Sequence, residues 1–199
     1  MKLWLAFGAL AFSGAAFAQV GEFWFNAGET ITENRGLGSG DPVNGTPNDL
    51  QLGQNGFRFG LRFDLNPGDY LGYELAYGYS RSSLVTGGTS AGFATHTVSG
   101  DVLYHFIKRD SRVRPFVAGG LGFSNFVPPG ASVSYGGSNE FQVNYGAGVK
   151  MKAFSKWGRD WGFRADIRQY QYFNKPFGLF LSNGKLQQTE ATVGFGLLF

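Results

Sequence analysis

The sequence contains no cysteine among its 199 residues. This absence excludes disulfide bonds, thiolate metal sites and lipid attachment at an amino-terminal cysteine. Histidine occurs only twice, and charged residues make up 16 % of the chain with a net charge of +3. The basic residues are scattered along the chain, whereas a nucleic-acid surface requires them to cluster on one face, so we expect no nucleic-acid partner.

Long apolar runs are also scarce, but one lies at the amino terminus. Lys2 is followed by an apolar run over residues 3–12 and by the small-residue sequence Ala16-Phe17-Ala18. This order is typical of a secretory signal peptide with an Ala-x-Ala cleavage site. A membrane anchor helix is the alternative, but the run is too short to span a bilayer comfortably. We therefore predict a cleaved signal peptide over residues 1–18 and one exported domain over residues 19–199.

Glycine and aromatic residues are abundant instead, with 32 glycines and an aromatic content of 17 %. The stretch from Phe57 to Tyr79 shows how they are arranged. Apolar residues occupy every second position on both sides of Asn66-Pro67-Gly68-Asp69, which has strong turn chemistry. Period two predicts two β-strands, each with one apolar face and one face of charge or glycine.

The same alternation predicts eight strands in all. Their expected ranges are 22–27, 57–65, 71–79, 95–107, 115–126, 140–152, 161–170 and 187–199. Long polar connections are expected at 29–54, 81–93, 127–138 and 173–186, and short turns join the other neighbours. Long and short connections therefore alternate, as in outer-membrane barrels with short periplasmic turns and long external loops.

A soluble lipocalin-type barrel would carry its apolar face inside, whereas a membrane barrel carries it outside. Three features favour the membrane barrel: the alternating loop lengths, a polar face that mixes charge with glycine, and aromatic residues near the strand ends. We predict an all-β, eight-stranded antiparallel up-and-down transmembrane β-barrel in contact with the lipid of the cell outer membrane.

The inward face then carries both signs of charge in near-equal numbers. Mutual pairing is expected, because an unpaired buried charge is expensive. The predicted lumen network, assigned a structural role, contains Arg58, Arg62, Asp64, Glu74, Asp101, His105, Glu140, Lys150, Arg164, Asp166, Arg168 and Glu190, and Glu22 and Lys152 share its face.

The second half of the chain resembles a known family. The segments 114–123, 144–150 and 163–168 are similar to consecutive strands of small outer-membrane β-barrel proteins that share the fold of the OmpA transmembrane domain and of OmpX. The carboxyl-terminal segment resembles the insertion signal of that class, with apolar residues at Val193, Phe195, Leu197 and Phe199. The resemblance implies that the barrel-assembly machinery is a partner during insertion.

The sequence offers few candidates for catalytic or metal-binding residues. His96 lacks the His-x-Ser spacing of outer-membrane lipid-modifying enzymes, since Val98 lies two residues further on. Loop one contains Glu29, Glu33, Asp41 and Asp49 without the spacing of a defined calcium loop. We predict no catalytic residue, metal or cofactor, and leave open the role of the apolar loop residues 177–181.

The leading functional hypothesis is a non-enzymatic integral outer-membrane protein that acts in envelope structure or in adhesion, with external loops that bind an extracellular ligand. A porin-like channel for small solutes or hydrophobic molecules is the alternative, and a lipid-modifying enzyme is the third.

Overall fold

The computed structural model describes residues 21–33, 36–39, 49–86, 89–127, 137–174 and 185–199. The predicted signal peptide at 1–18 and the apolar loop residues 177–181 lie outside this part of the chain, as do Asp41 and much of the predicted external loops.

Every regular element in the described residues is a β-strand. The strands are β1 Gly21–Glu33, β2 Gly36–Ser39, β3 Asp49–Leu52, β4 Asn55–Leu65, β5 Leu71–Thr86, β6 Thr89–His105, β7 Val113–Val127, β8 Ser138–Lys156, β9 Arg159–Tyr172 and β10 Leu186–Leu198. In the same residues, no helix has the length and apolarity needed to cross a bilayer.

Eight of these strands close on themselves. All pairings are antiparallel between sequence neighbours, from β4 with β5 through to β9 with β10, and β1 completes the ring by pairing with both β4 and β10. Gly21 and Phe199 exchange two backbone hydrogen bonds, of 3.0 and 2.9 Å, at this junction. The predicted eight-stranded antiparallel barrel is confirmed, and closure leaves its eight strands without an unpaired edge in lipid.

The two faces of each barrel strand differ as the alternation predicts. On β4, Phe57 is 60 % exposed and its neighbour Arg58 only 5 %. The exposed side chains around the barrel are mostly large and apolar, whereas most buried ones are polar or charged. This arrangement is the inverse of that in a soluble protein. It suits a barrel whose outer face contacts lipid and whose interior is polar.

The structure corrects two of the predicted loops. β1 continues through residues 29–33, and β2 and β3 form a short hairpin inside the range 29–54. Residues 81–93 are largely strand, because β5 and β6 stay paired up to Thr86 and Thr89. Serines and glycines in this range interrupt the alternation of apolar residues on which the strand prediction depends. The backbone pairing of β5 with β6 nevertheless continues through it.

The turn between β8 and β9 is tight. Trp157 and Gly158 have φ angles of 56° and 71°, and they lie between the paired residues Lys156 and Arg159. Positive φ at both central residues is the signature of a type I′ hairpin turn, whose twist matches that of the flanking strands.

Close strand packing depends on Gly28 in β1. A Cβ at this position would overlap the carbonyl oxygen of Ala191 and lie 2.8 Å from the Cα of Thr192, on the neighbouring strand β10. Backbone atoms cannot rotate away as a side chain can. Gly100 in β6 offers a comparison, because nothing lies within 4 Å of a Cβ there.

We therefore expect G28A to lower the free energy of unfolding by about 1–3 kcal/mol, as overpacking does. The matched variant G100A should change it by no more than about 0.5 kcal/mol. Urea unfolding in lipid vesicles, followed by tryptophan fluorescence, measures both values. Equal stabilities for the two variants would contradict the close packing at Gly28.

Candidate functional site in the barrel lumen

The lumen is filled by charged side chains from the inward positions of the barrel strands. An eight-stranded barrel is just wide enough for its interior to be filled by side chains. The buried acidic residues are Glu22, Asp64, Glu74, Asp101, Glu140, Asp166 and Glu190, and the buried basic residues are Arg58, Arg62, Arg114, Lys150, Arg164 and Arg168.

Arg164 lies at the centre of this arrangement. Its guanidinium nitrogens are 3.1 Å from a carboxylate oxygen of Asp64, 2.6 Å from one of Glu74 and 2.9 Å from one of Asp166. The Arg164 side chain is fully buried. A planar guanidinium can donate in several directions at once, which suits it to bridging three carboxylates.

The network continues towards the outer end through two further arginines. Arg62 lies 2.8 Å from Asp166 and 3.2 Å from Glu74. Arg168 lies 2.7 Å from both Glu74 and Asp101. Each of these carboxylates therefore faces at least one arginine.

Towards the short turns the network continues through Lys150. Its ammonium group lies 2.5 Å from Glu22 and 2.5 Å from Asp64. Glu22 also accepts a hydrogen bond of 3.0 Å from the indole of Trp24 and lies 3.5 Å from Arg114.

Ten side chains thus form one connected network with balanced charge. Its five acidic members are Glu22, Asp64, Glu74, Asp101 and Asp166, and its five basic members are Arg62, Arg114, Lys150, Arg164 and Arg168. Removing one partner from such a network leaves a buried charge uncompensated, which is strongly destabilising.

Four predicted members, Arg58, Glu140, Glu190 and His105, lie outside this network. Arg58 pairs with Glu190 and sits 5.5 Å from the ring of Tyr170. Glu140 accepts a hydrogen bond of 2.6 Å from Ser138, and no described basic side chain pairs with it. His105 is fully buried beside Phe116, and neither ring nitrogen has a hydrogen-bond partner among the described residues.

Arg114 is a network member that the sequence reasoning missed. It precedes Pro115, where the strand was expected to begin, but β7 starts at Val113. Extending the alternation back from the inward residues Phe116 and Ala118 would have identified it. Lys152, which shares the predicted inward face, lies at the barrel end with 30 % of its side chain exposed, 4.0 Å from Asp160.

Apolar side chains occupy the outer end of the lumen, which the sequence reasoning also missed. We call this cluster the outer cap; it consists of Leu52, Phe93, Phe126, Tyr170, Tyr172 and Leu186. The rings of Phe93 and Phe126 stack with centroids 5.7 Å apart, and Phe126 meets Tyr172 edge to face at 5.2 Å. Leu52 comes from β3, so the short hairpin contributes to the cap.

A chain of hydrogen bonds runs across the barrel next to the outer cap. The hydroxyl of Tyr172 donates to Gln188 at 2.9 Å and lies 3.2 Å from that of Ser124. Ser124 in turn lies 2.9 Å from Thr97, and Gln188 donates to Thr32 at 3.3 Å. This chain joins five strands just inside the cap.

The candidate catalytic and calcium residues do not come together in the described part of the chain. His96 points outward, where its Nδ1 lies 2.8 Å from the hydroxyl of Tyr77 and its ring meets that of Tyr79 edge to face. Glu29 is an exposed residue within β1 rather than in a loop. Among the described residues, no group of three His, Asp or Glu side chains is placed to hold a metal ion.

The predicted insertion signal forms the end of the barrel wall. Val193 and Phe195 are exposed on the outward face of β10, and Leu197 and Phe199 are partly exposed further along. Phe195 stacks on Trp161 with ring centroids 5.2 Å apart. Recognition of this segment by the assembly machinery stays a prediction.

The network predicts a large cost for single charge removal. We expect R164M to lower the free energy of unfolding by about 3–5 kcal/mol, because three buried carboxylates lose their shared partner. D166N should also destabilise the barrel, and the double variant should lose less than the sum of the two. Urea unfolding in vesicles measures all three.

The matched control is D160N, which removes the charge from the partly exposed contact with Lys152 and alters an exposed hydrogen bond from Ser155. This change should cost about 1 kcal/mol or less. The paired-network account is wrong if R164M and D166N are both as stable as the unaltered protein.

Comparison with known proteins agrees with this architecture. Neisserial surface protein A gives a TM-score of 0.58 at 17 % identity, over 90 % of this chain and 97 % of that one. The outer membrane protein AlkL, solved by solid-state NMR in lipid bilayers, gives 0.51 at 14 % identity, over 91 % and 90 %. At these identities the likeness shows the fold alone.

No curated protein matches the chain by sequence. The family described as the outer membrane protein beta-barrel domain matches residues 5–199, nearly the whole length. The chain therefore belongs to the outer membrane β-barrel protein family, and its place is the outer membrane.

Proposed function

We propose that this protein is a closed, non-enzymatic barrel that acts at the outer surface, in surface binding or in the structure of the envelope. The observation that carries the proposal is the charge-balanced network of ten side chains that fills the middle of the lumen. A solute would have to separate several buried ion pairs to pass, and each separation would expose charge in a medium of low dielectric constant.

The outer cap is a second obstacle in series with the network. Water-filled pores are lined by polar side chains, whereas this end of the lumen is occupied by stacked aromatic rings and leucines. An ion that crossed the network would next meet an apolar plug. The two barriers together favour a structural lumen over a channel.

The outward side offers a surface for binding. β5 and β6 remain paired beyond Arg81, and β3 and β2 continue the same sheet on the β5 side. Arg81 and Glu29 are exposed at this level of the wall. Polar side chains on the outward face indicate that the wall leaves the hydrocarbon region here, so the sheet extends above the lipid.

The surroundings of His96 support a role without catalysis. The ring contacts two tyrosines on the outward face, and neither an acid nor a serine hydroxyl contacts it among the described residues. Tyrosine and histidine at this position resemble the interfacial aromatic girdle of membrane barrels.

The proposal also includes removal of residues 1–18 during export and contact of the apolar outward face with outer-membrane lipid.

Single-channel recording tests the closed lumen. We expect the refolded, inserted protein to give no discrete openings in a planar bilayer, with a porin in the same bilayer as the positive control. R62A should also stay silent, because the outer cap remains in place.

Reproducible openings of the unaltered protein would overturn the proposal in favour of the channel. Openings of R62A alone would show that the network, rather than the cap, closes the lumen. Gel mobility with and without heating checks that both samples are folded.

The surface role predicts a different pattern for whole cells. Shortening the β2–β3 hairpin should reduce adherence of expressing cells to immobilised extracellular-matrix protein several-fold. D166N, which lies in the lumen, should leave adherence per folded molecule unchanged. Adherence that is equal with and without the protein would reject adhesion and leave envelope structure as the role.

A further inference from the structure

The end of the barrel opposite the outer cap holds an open polar cavity of about 330 Å³. All three short turns, or the strand ends beside them, contribute to its lining, together with the junction of β1 and β10. We call it the mouth cavity. Its volume lies at the lower end of the range for small-molecule sites, about 300–1,000 Å³.

Two Arg-Asp sequences face this cavity from different places in the chain. Arg109-Asp110 comes from the turn between β6 and β7, and Arg159-Asp160 begins β9. Among the described residues, no carboxylate lies within 4.0 Å of either arginine, and no basic group pairs with Asp110. Asp160 accepts a hydrogen bond from Ser155 and reaches Lys152 only at 4.0 Å.

This pattern contrasts with the lumen network. There, each arginine lies within 3.5 Å of a carboxylate, and most lie within 3 Å. At the mouth cavity neither arginine is paired with a carboxylate of the described residues, although Arg109 donates a hydrogen bond of 3.4 Å to the backbone carbonyl of Asn66 and Arg159 lies over the ring of Phe199 at 5.5 Å. A ligand with a single positive or negative charge would be attracted by the groups of one sign and repelled by the groups of the other.

A buried amide, that of Asn66, belongs to the residues of the cavity wall. Asn66 is 1 % exposed, and neither its side-chain nitrogen nor its oxygen has a partner among the described residues. His105 is in the same condition, and both side chains lie within 3.3 Å of the position that a Cβ on Gly72 would take. Buried polar atoms are normally hydrogen-bonded, so these two neighbouring side chains form a covered polar pair behind the cavity wall that is unsatisfied among the described residues.

We propose that the mouth cavity binds a small zwitterion with a carboxylate and an amine, the chemistry of amino acids and short peptides. The arginines bind the carboxylate, and the aspartates bind the amine. The apolar side chains of Leu198 and Phe199 close one side of the cavity.

The cavity is also placed to take ligands from the periplasm. Short turns of outer-membrane barrels face that compartment. Glu22 lies at the floor of the cavity and is bound to Lys150, so the lumen network begins where the cavity ends. This site is separate from the outer surface on which the proposed function rests.

Titration of the refolded protein in detergent with the dipeptide alanylalanine, followed by calorimetry and by the NMR signal of the Asn66 side-chain amide, tests the proposal. We expect saturable binding that weakens at least tenfold for the N-acetylated dipeptide and for the dipeptide amide. Tighter binding of alanylalanine than of alanine would identify a peptide ligand, and the reverse order a free amino acid.

R109Q and D110N should each weaken dipeptide binding at least tenfold. The matched control is K108Q, an exposed residue of the same turn that does not line the cavity; it should leave binding unchanged. Absence of dipeptide binding, equal binding of the blocked dipeptides, or binding of inorganic phosphate alone would overturn the proposal.

Discussion

Charge balance inside the barrel is the constraint on which this structure depends. Lipid outside the wall forces polar side chains inward, and the narrow interior leaves little space for water to solvate them. Each carboxylate in the middle of the lumen therefore faces a basic partner contributed by another strand. Arg164, which joins Asp64, Glu74 and Asp166, shows how one guanidinium can tie three strands together. A charge-balanced network and a closed wall are two results of the same requirement.

Much of the wall could be predicted because its signal is local. Period two in Phe57–Tyr79 separates the two faces of the strands with no knowledge of their partners, and the loop pattern indicates which end is which. The extended parts of β5 and β6 were not predictable in this way, because Ser82 and Ser83 lie where the alternation has faded. Pairing there is specified by the backbone register that continues from the hairpin below.

The ion-pair partners within the lumen could not be predicted from the sequence, for a different reason. The alternation of inward and outward residues places Lys150 in the interior. It does not identify Glu22 and Asp64 as its partners, because these contacts depend on strand tilt and register around the whole barrel. The outer cap was hidden for a similar reason. Phe93 fell in the predicted loop 81–93 and Phe126 at the end of a predicted strand, and only their placement on neighbouring strands brings the rings together.

Sequence separation within the network has a consequence for how the barrel assembles. Glu22 and Lys150 are 128 residues apart, and Asp64 and Arg164 are 100 apart. Contacts at such separations form late, because a long loop of chain must close before they can be made. The charges of the early strands therefore stay unpaired until the last strands are added. A half-built barrel would expose unpaired carboxylates to lipid. We therefore expect insertion and ring closure to be coupled, since the final strand completes the wall and the strand before it supplies the arginines that neutralise the interior.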